Sequence, residues 1–164
     1  MIFPELSKRN VISTILLTVM IFPASTLAGQ DRPLKISLMT QEQVEFSPDC
    51  PSKFGGTTTG TGKSTHLGKV SFTATDCITP MGDHFTFKGK FTVAAANGDK
   101  LTGNYGGSFV PINAGPMYSL SDATFDITGG TGRFAQATGS AKLQGKQNTK
   151  TGKGILKADG IISY

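Results

Sequence analysis

The chain has 164 residues, of which 37% are hydrophobic and 16% charged; it holds 21 Gly, 11 Phe, two Cys and no Trp, and its formal net charge is +5. That length suits one domain, and the apolar content is too high and the charge too low for a disordered chain. Glycine without a strict three-residue period excludes a collagen-like fibre, so the abundance of Gly and Thr points to strands and tight turns.

Residues 1–28 read as a secretory signal. Lys8 and Arg9 precede the uncharged stretch Val11–Phe22, which ends in Pro23 and a run from Ala24 to Ala28, the expected cleavage point. As a helix that stretch spans only about 18 Å, short of the roughly 30 Å hydrocarbon core, so a permanent membrane anchor is the weaker reading. No Cys follows it closely to carry a lipid. The expected location is exported, periplasmic or secreted. Removing the segment leaves 14 basic and 10 acidic residues, with lysines spread over Lys63, Lys69, Lys88, Lys90, Lys100 and the group Lys142 to Lys157. A solvated exterior explains that spread, and no nucleic-acid partner is expected.

Two cysteines in an exported chain predict a Cys50–Cys77 disulfide, which stabilises by about 3 to 4 kcal/mol through loop entropy. A metal site built from Cys50, Cys77, His66 and His84 fails on spacing, because no two of them sit at the short intervals zinc ligands show. No metal and no cofactor are expected.

Strand-like alternation carries the rest of the chain. The segments 29–54 and 55–164 read as an N-terminal strand and loop joining a barrel, and the barrel core. A strand is expected near Lys35–Phe46, after a linker at Asp31–Pro33, and a short one at Thr57–Gly62, after a loop at Ser47–Lys53. Val70, Phe72 and Ala74 alternate with polar residues, and Thr79–Asp83 supplies a turn. In His84–Val93, Phe85, Phe87, Gly89, Phe91 and Val93 share one face. The Asn97-Gly98 hairpin turn leads into a strand whose apolar face is Leu101, Gly103, Tyr105, Gly107 and Phe109. Ala123, Phe125 and Ile127 form another, before strands near Ser140–Gln147 and Gly154–Ser163. Eight sequential strands predict an all-β, eight-stranded antiparallel up-and-down barrel, which removes unpaired edges and at this size holds side chains or one small ligand. A two-sheet sandwich is the structural alternative.

The motifs that resemble chemistry fail on context. Gly62-Lys63-Ser64 ends like a phosphate loop, but Thr57 stands where the first glycine belongs and a strand follows instead of a helix. Gly130, Gly132 and Ala135 match a dinucleotide fingerprint, but only six residues separate Gly132 from Gly139, too few for a crossover helix. Arg133–Ala137 reads instead as a short helical or irregular excursion that plugs or brackets one barrel end, with Arg133 in a capping salt bridge or, as the alternative, meeting an anionic ligand. His84 reads as solvent-exposed, and His66 as fixing a loop by hydrogen bonding or, as the alternative, lining a barrel mouth. Asp122 and Asp126 are expected outward. Glu42 and Glu45 lie in the weakly patterned N-terminal region, where an inward Glu would serve as acid or base. Phe72, Phe85, Phe87, Phe91, Tyr105, Phe109 and Phe125 are expected to line the interior. Of these, Phe85, Phe87, Phe91, Tyr105 and Phe109 are the candidate ligand-binding residues.

Three stretches, THLGKVSFT (Thr65–Thr73), FTVAAANGDKLTGNYGG (Phe91–Gly107) and ITGGTGRFAQATGSAKLQG (Ile127–Gly145), resemble a group of small exported bacterial proteins. Their fold looks like the barrel of plant allene oxide cyclases and dirigent proteins, and the resemblance covers roughly residues 60–164. It implies a barrel with a central cavity and supplies no catalytic motif that can be matched residue by residue. The expected function is an exported barrel, not an enzyme, that binds a small apolar ligand or serves as a scaffold. One alternative is a cofactor-independent cyclase or isomerase, which requires an inward polar cluster beneath the aromatics. The other is a surface or host-interaction module using Lys88, Lys90 and the loop Val110–Met117. Related barrels often assemble, so a homo-oligomer is a further expectation.

Overall fold

The computed structural model describes residues 29–164, so the signal reading falls outside the described residues. Eight strands follow one another: β1 (Asp31–Phe46), β2 (Phe54–Ser64), β3 (Gly68–Pro80), β4 (Phe85–Ala95), β5 (Lys100–Pro111), β6 (Met117–Gly130), β7 (Thr138–Asn148) and β8 (Lys153–Ser163). Each pairs antiparallel with its sequence neighbours, and β1 pairs with β8 to close the ring. Closure overturns the sandwich alternative and satisfies every sheet edge.

Period-two alternation decides which residues fill the barrel. Leu34, Ile36 and Leu38 from β1, Val70, Phe72 and Ala74 from β3, Phe87, Phe91 and Val93 from β4, and Phe125 and Ile127 from β6 are buried together. The Phe91 and Phe125 rings stack with centroids 4.1 Å apart, and Phe72 lies 6.0 Å from Phe125. Small residues let the walls come this close: a methyl group on Gly103 would run into the Asp126 carbonyl and the Phe91 ring. This half of the barrel is packed with side chains.

One end is sealed. The residues after β6 form a single 3-10 turn, Gly132–Phe134, as the excursion reading expects, and Phe134 is fully buried. Its ring packs on Tyr164, 4.7 Å between centroids. Arg133 pairs with Asp99 at 3.8 Å and donates to the His66 carbonyl. His66 occupies a left-handed backbone conformation in the β2–β3 turn, and its Nε2 donates to the Pro33 carbonyl over 2.9 Å. Both side chains therefore do the structural work of closing this end.

Several boundaries differ from the sequence expectation. Asp31–Pro33 is not a linker: Asp31 pairs with Ser163 and Pro33 with Ile161 within the sheet. Pro33 has no N–H to give, but its carbonyl is used, by Thr65 and His66. Strand β3 runs on through Thr79 and Pro80, so the turn begins only at Met81. The loop expected at Val110–Met117 shrinks to 112–116, because its ends are held in β5 and β6. The phosphate-loop lookalike is part of β2, and the dinucleotide lookalike is the β6–β7 connection.

Cys50 and Cys77 form a disulfide with their Cα atoms 5.3 Å apart. It ties the β1–β2 loop to β3 at the end opposite Phe134 and is compatible with an oxidising compartment. No described helix is long and apolar enough to cross a membrane.

Candidate functional site

The end opposite Phe134 is open. An opening of about 580 Å³ is lined on one side by Val44, Ile78, Phe85, Phe109 and Tyr118 and on the other by Gln41, Gln43 and the turn 149–152 with Lys150, and Glu42 and Gln147 stand at its base. Below it a smaller cavity of about 40 Å³ reaches Asp76, Tyr105, Thr58, Phe72 and Phe87 and shares Glu42, Phe109 and Gln147 with the opening.

Alternation carries the polar floor inward as surely as it does the core. Asp76 follows Val70, Phe72 and Ala74 on the inner face of β3, and Glu42 follows Leu34, Ile36 and Leu38 on β1. Gln147 continues the inward Ala141 and Leu143 of β7, and Tyr105 faces them from β5. The Tyr105 hydroxyl donates to Asp76 Oδ2, and Gln147 Nε2 donates to Glu42 Oε2. Asp76 Oδ1 is buried with no hydrogen-bond partner, a costly state for a carboxylate oxygen.

The two acids converge on Gly56 of β2. A methyl group there would stand 2.6 Å from Asp76 Oδ1 and 2.7 Å from Glu42 Oε1. Only the missing side chain of Gly56 keeps the space between the oxygens open. Burial pushes the Asp76 carboxyl up to about 6; the Tyr105 hydrogen bond opposes the shift, and the neighbouring Glu42 charge adds to it. Burial also raises Glu42, against its bond from Gln147, and holds the Tyr105 hydroxyl well above the ordinary phenol range.

This shift sets a pH dependence of stability. Because the folded-state pKa of Asp76 lies above the value of 3.8 it has when exposed, the native state holds the proton more tightly. Stability therefore falls as pH rises from about 4 to about 6 and stays lowered above that. At about 1.4 kcal/mol per unit the Asp76 contribution approaches 3 kcal/mol. We expect urea titrations to show Asp76→Asn gaining on the unmodified protein between pH 4.5 and 7.5; a gap independent of pH would place Asp76 in water.

The structure distributes the other candidates as follows. Phe87, Tyr105 and Phe109 line the inner cavity, and Phe85 and Phe109 line the opening. Phe91 lies lower, packed against Phe125 and Phe72, and lines neither. Glu42 is inward and buried, whereas Glu45 is exposed. Asp122 and Asp126 are exposed on the outer wall, and His84 sits in the β3–β4 turn bonded to Asp83. Lys88 and Lys90 are exposed on the outside of β4. Among the described residues no group of three or more His, Cys, Asp or Glu is placed to hold a metal ion.

Tyr118 and Leu120 were missed for a definite reason. The inward residues of β6 are Ala123, Phe125 and Ile127, and continuing that parity would turn Tyr118 and Leu120 outward. Irregularities in pairing between Gly106 and Ser108 and between Ser119 and Ala123 shift the parity, so that Leu120 pairs with Phe109 and faces the cavity.

The closed ring of eight antiparallel strands is also the fold of a dirigent protein of known structure. Among solved structures, the pterocarpan synthase dirigent protein GePTS1 is similar, with a TM-score of 0.52 and 15% identity over 82% of this chain and 87% of that one. At that identity the likeness shows the fold alone. No family model matches the sequence, and no curated protein matches it.

Proposed function

We propose that the protein binds a small, largely apolar molecule in the mouth of the barrel, with the polar end of that molecule on the floor formed by Glu42, Asp76, Tyr105 and Gln147. The observation that carries this reading is the union of an aromatic-walled opening of about 580 Å³ with a buried, unpartnered Asp76 Oδ1 at its base. Ligand sites are typically concavities of about 300 to 1,000 Å³, mostly apolar, with a few convergent polar groups. The filled half of the barrel beneath the floor makes the site rigid, which lowers the entropy cost of binding.

Native mass spectrometry and thermal shift of the purified protein against lipids, quinones and aromatic metabolites test the reading. At least one compound is expected to remain bound and to raise the melting temperature. A panel in which nothing is retained and nothing stabilises would leave only the scaffold role.

The paired acids favour a second reading, proton-transfer catalysis of the cyclase or isomerase type without a cofactor. A carboxyl group whose pKa is raised to about 6 gives up and takes back a proton near neutrality, and Tyr105 supplies a hydroxyl beside it. Under this reading a bound ligand exchanges its acidic C–H hydrogen for deuterium with the unmodified protein and not with Asp76→Asn.

A further inference from the structure

We infer that the polar end of the ligand is an ammonium group, so that the barrel takes a lipophilic amine with its nitrogen between Asp76 and Glu42 and its apolar body in the mouth. This rests on the binding reading above and adds the chemistry of the head group.

The floor has more acceptor oxygens than donors. Two carboxylates offer four oxygens, each with room for more than one hydrogen bond, and side chains supply two donors, Tyr105 and Gln147, to which the Gly56 backbone N–H beside Asp76 adds one more. Asp76 Oδ1 accepts nothing, although Asp76 is only 8% exposed. A hydroxyl brings one donor, whereas an ammonium brings three.

The floor also carries uncompensated negative charge. Two acids converge on one point above Gly56, and among the described residues neither forms an ion pair with a lysine, arginine or histidine. Lys146 reaches the cavity rim but is exposed and pairs with neither. A buried charge without a partner is costly, and a cation between two carboxylates relieves both at once. Charge-assisted N–H to carboxylate bonds of about 2.7 to 2.9 Å suit the gap that Gly56 leaves.

Size and walls set the shape of the ligand. A cavity of about 40 Å³ admits a head group of a few heavy atoms and no more, since one water needs about 10 to 15 Å³ on the same measure. The rest of the molecule must occupy the wider opening between Ile78, Phe85, Phe109 and Tyr118. The rings of Phe72, Phe87 and Phe109 around the inner cavity add cation–π attraction for a charged nitrogen.

The test compares octylamine with 1-octanol and with octyltrimethylammonium, which keeps the charge but has no N–H donor and a bulkier head, using calorimetry at pH 7.5. Octylamine is expected to bind at least tenfold more tightly than either. Lys146→Ala should keep that preference, while Asp76→Asn should abolish it and Gly56→Ala, which places a methyl between the two oxygens, should block the amine. The preference should also fade below about pH 6, where Asp76 takes up its proton; Glu42, Tyr105 and Lys146 are the other titratable groups at the cavity, and Lys150 lines the opening. Equal affinity for amine and alcohol, or a preference that survives Asp76→Asn, would overturn the amine assignment and leave the binding reading intact. Failure of all three probes, together with an empty metabolite panel, would overturn both.

Discussion

Replacing Phe125 with alanine is expected to cost about 4 kcal/mol of folding stability, a large fraction of the roughly 5 to 15 kcal/mol a domain has to lose. Phe125 has no exposed surface and stands at the centre of the aromatic cluster, 4.1 Å from Phe91, 6.0 Å from Phe72 and 6.1 Å from Tyr105 between ring centroids. The loss combines the transfer free energy of the ring with a cavity that a hydrogen-bonded barrel wall cannot collapse to fill. Phe46, which is 72% exposed, is the control, and its alanine variant should change stability by no more than about 0.5 kcal/mol. Urea unfolding of the two variants checks the contrast; similar midpoints would mean that Phe125 does not face an enclosed core.

The second large effect is expected from removing the disulfide. Cys50 and Cys77 are 27 residues apart in sequence, so their bond restricts the unfolded chain enough to stabilise by about 3 to 4 kcal/mol in the loop-entropy account. The Cys50→Ser, Cys77→Ser double variant should therefore unfold at clearly lower urea concentration than the oxidised protein. The effect should also be local. The loop 47–53 is held by few other contacts, among them the Ser52 hydroxyl on the Ile78 carbonyl and the turn bonds between Ser47, Cys50 and Lys53. It flanks Gly55 and the strand that carries Asp76, so hydrogen exchange should rise there and around the mouth before it rises at the sealed end. Exchange that rises uniformly over the barrel would show that the bond has no particular bearing on the site.

Much of the barrel was legible in the sequence because period-two alternation is strong wherever one face meets a packed interior. The rows Phe85, Phe87, Phe91, Val93 and Leu101, Gly103, Tyr105 are inward in the structure as the pattern says. The site was less legible because its residues are polar. Asp76 continues the row Val70, Phe72, Ala74, yet a carboxylate at that place reads as the end of a strand, since burying one is costly. What the alternation lacked was a reason to carry it two residues further; the buried Ile78 supplies that reason in hindsight. Glu42 sits on a strand whose outer residues include the apolar Pro33 and Met39, which blurs the contrast between faces. Tyr118 and Leu120 were hidden by the irregular pairing of β6, a feature of backbone register that single-residue patterns do not encode.

The central claim is that the open end over Asp76 is where a ligand sits. Methyl-resolved NMR of the protein during a titration tests it most directly, using octylamine or any compound the panel retains. The account predicts that Ile78, Leu120, Leu143 and Leu156, around the two cavities, shift together and saturably, while Leu34, Val93 and Ile162 in the packed core stay in place. Shifts confined to the exposed outer-wall residues Met39 and Ile161, with the first group unmoved, would contradict it.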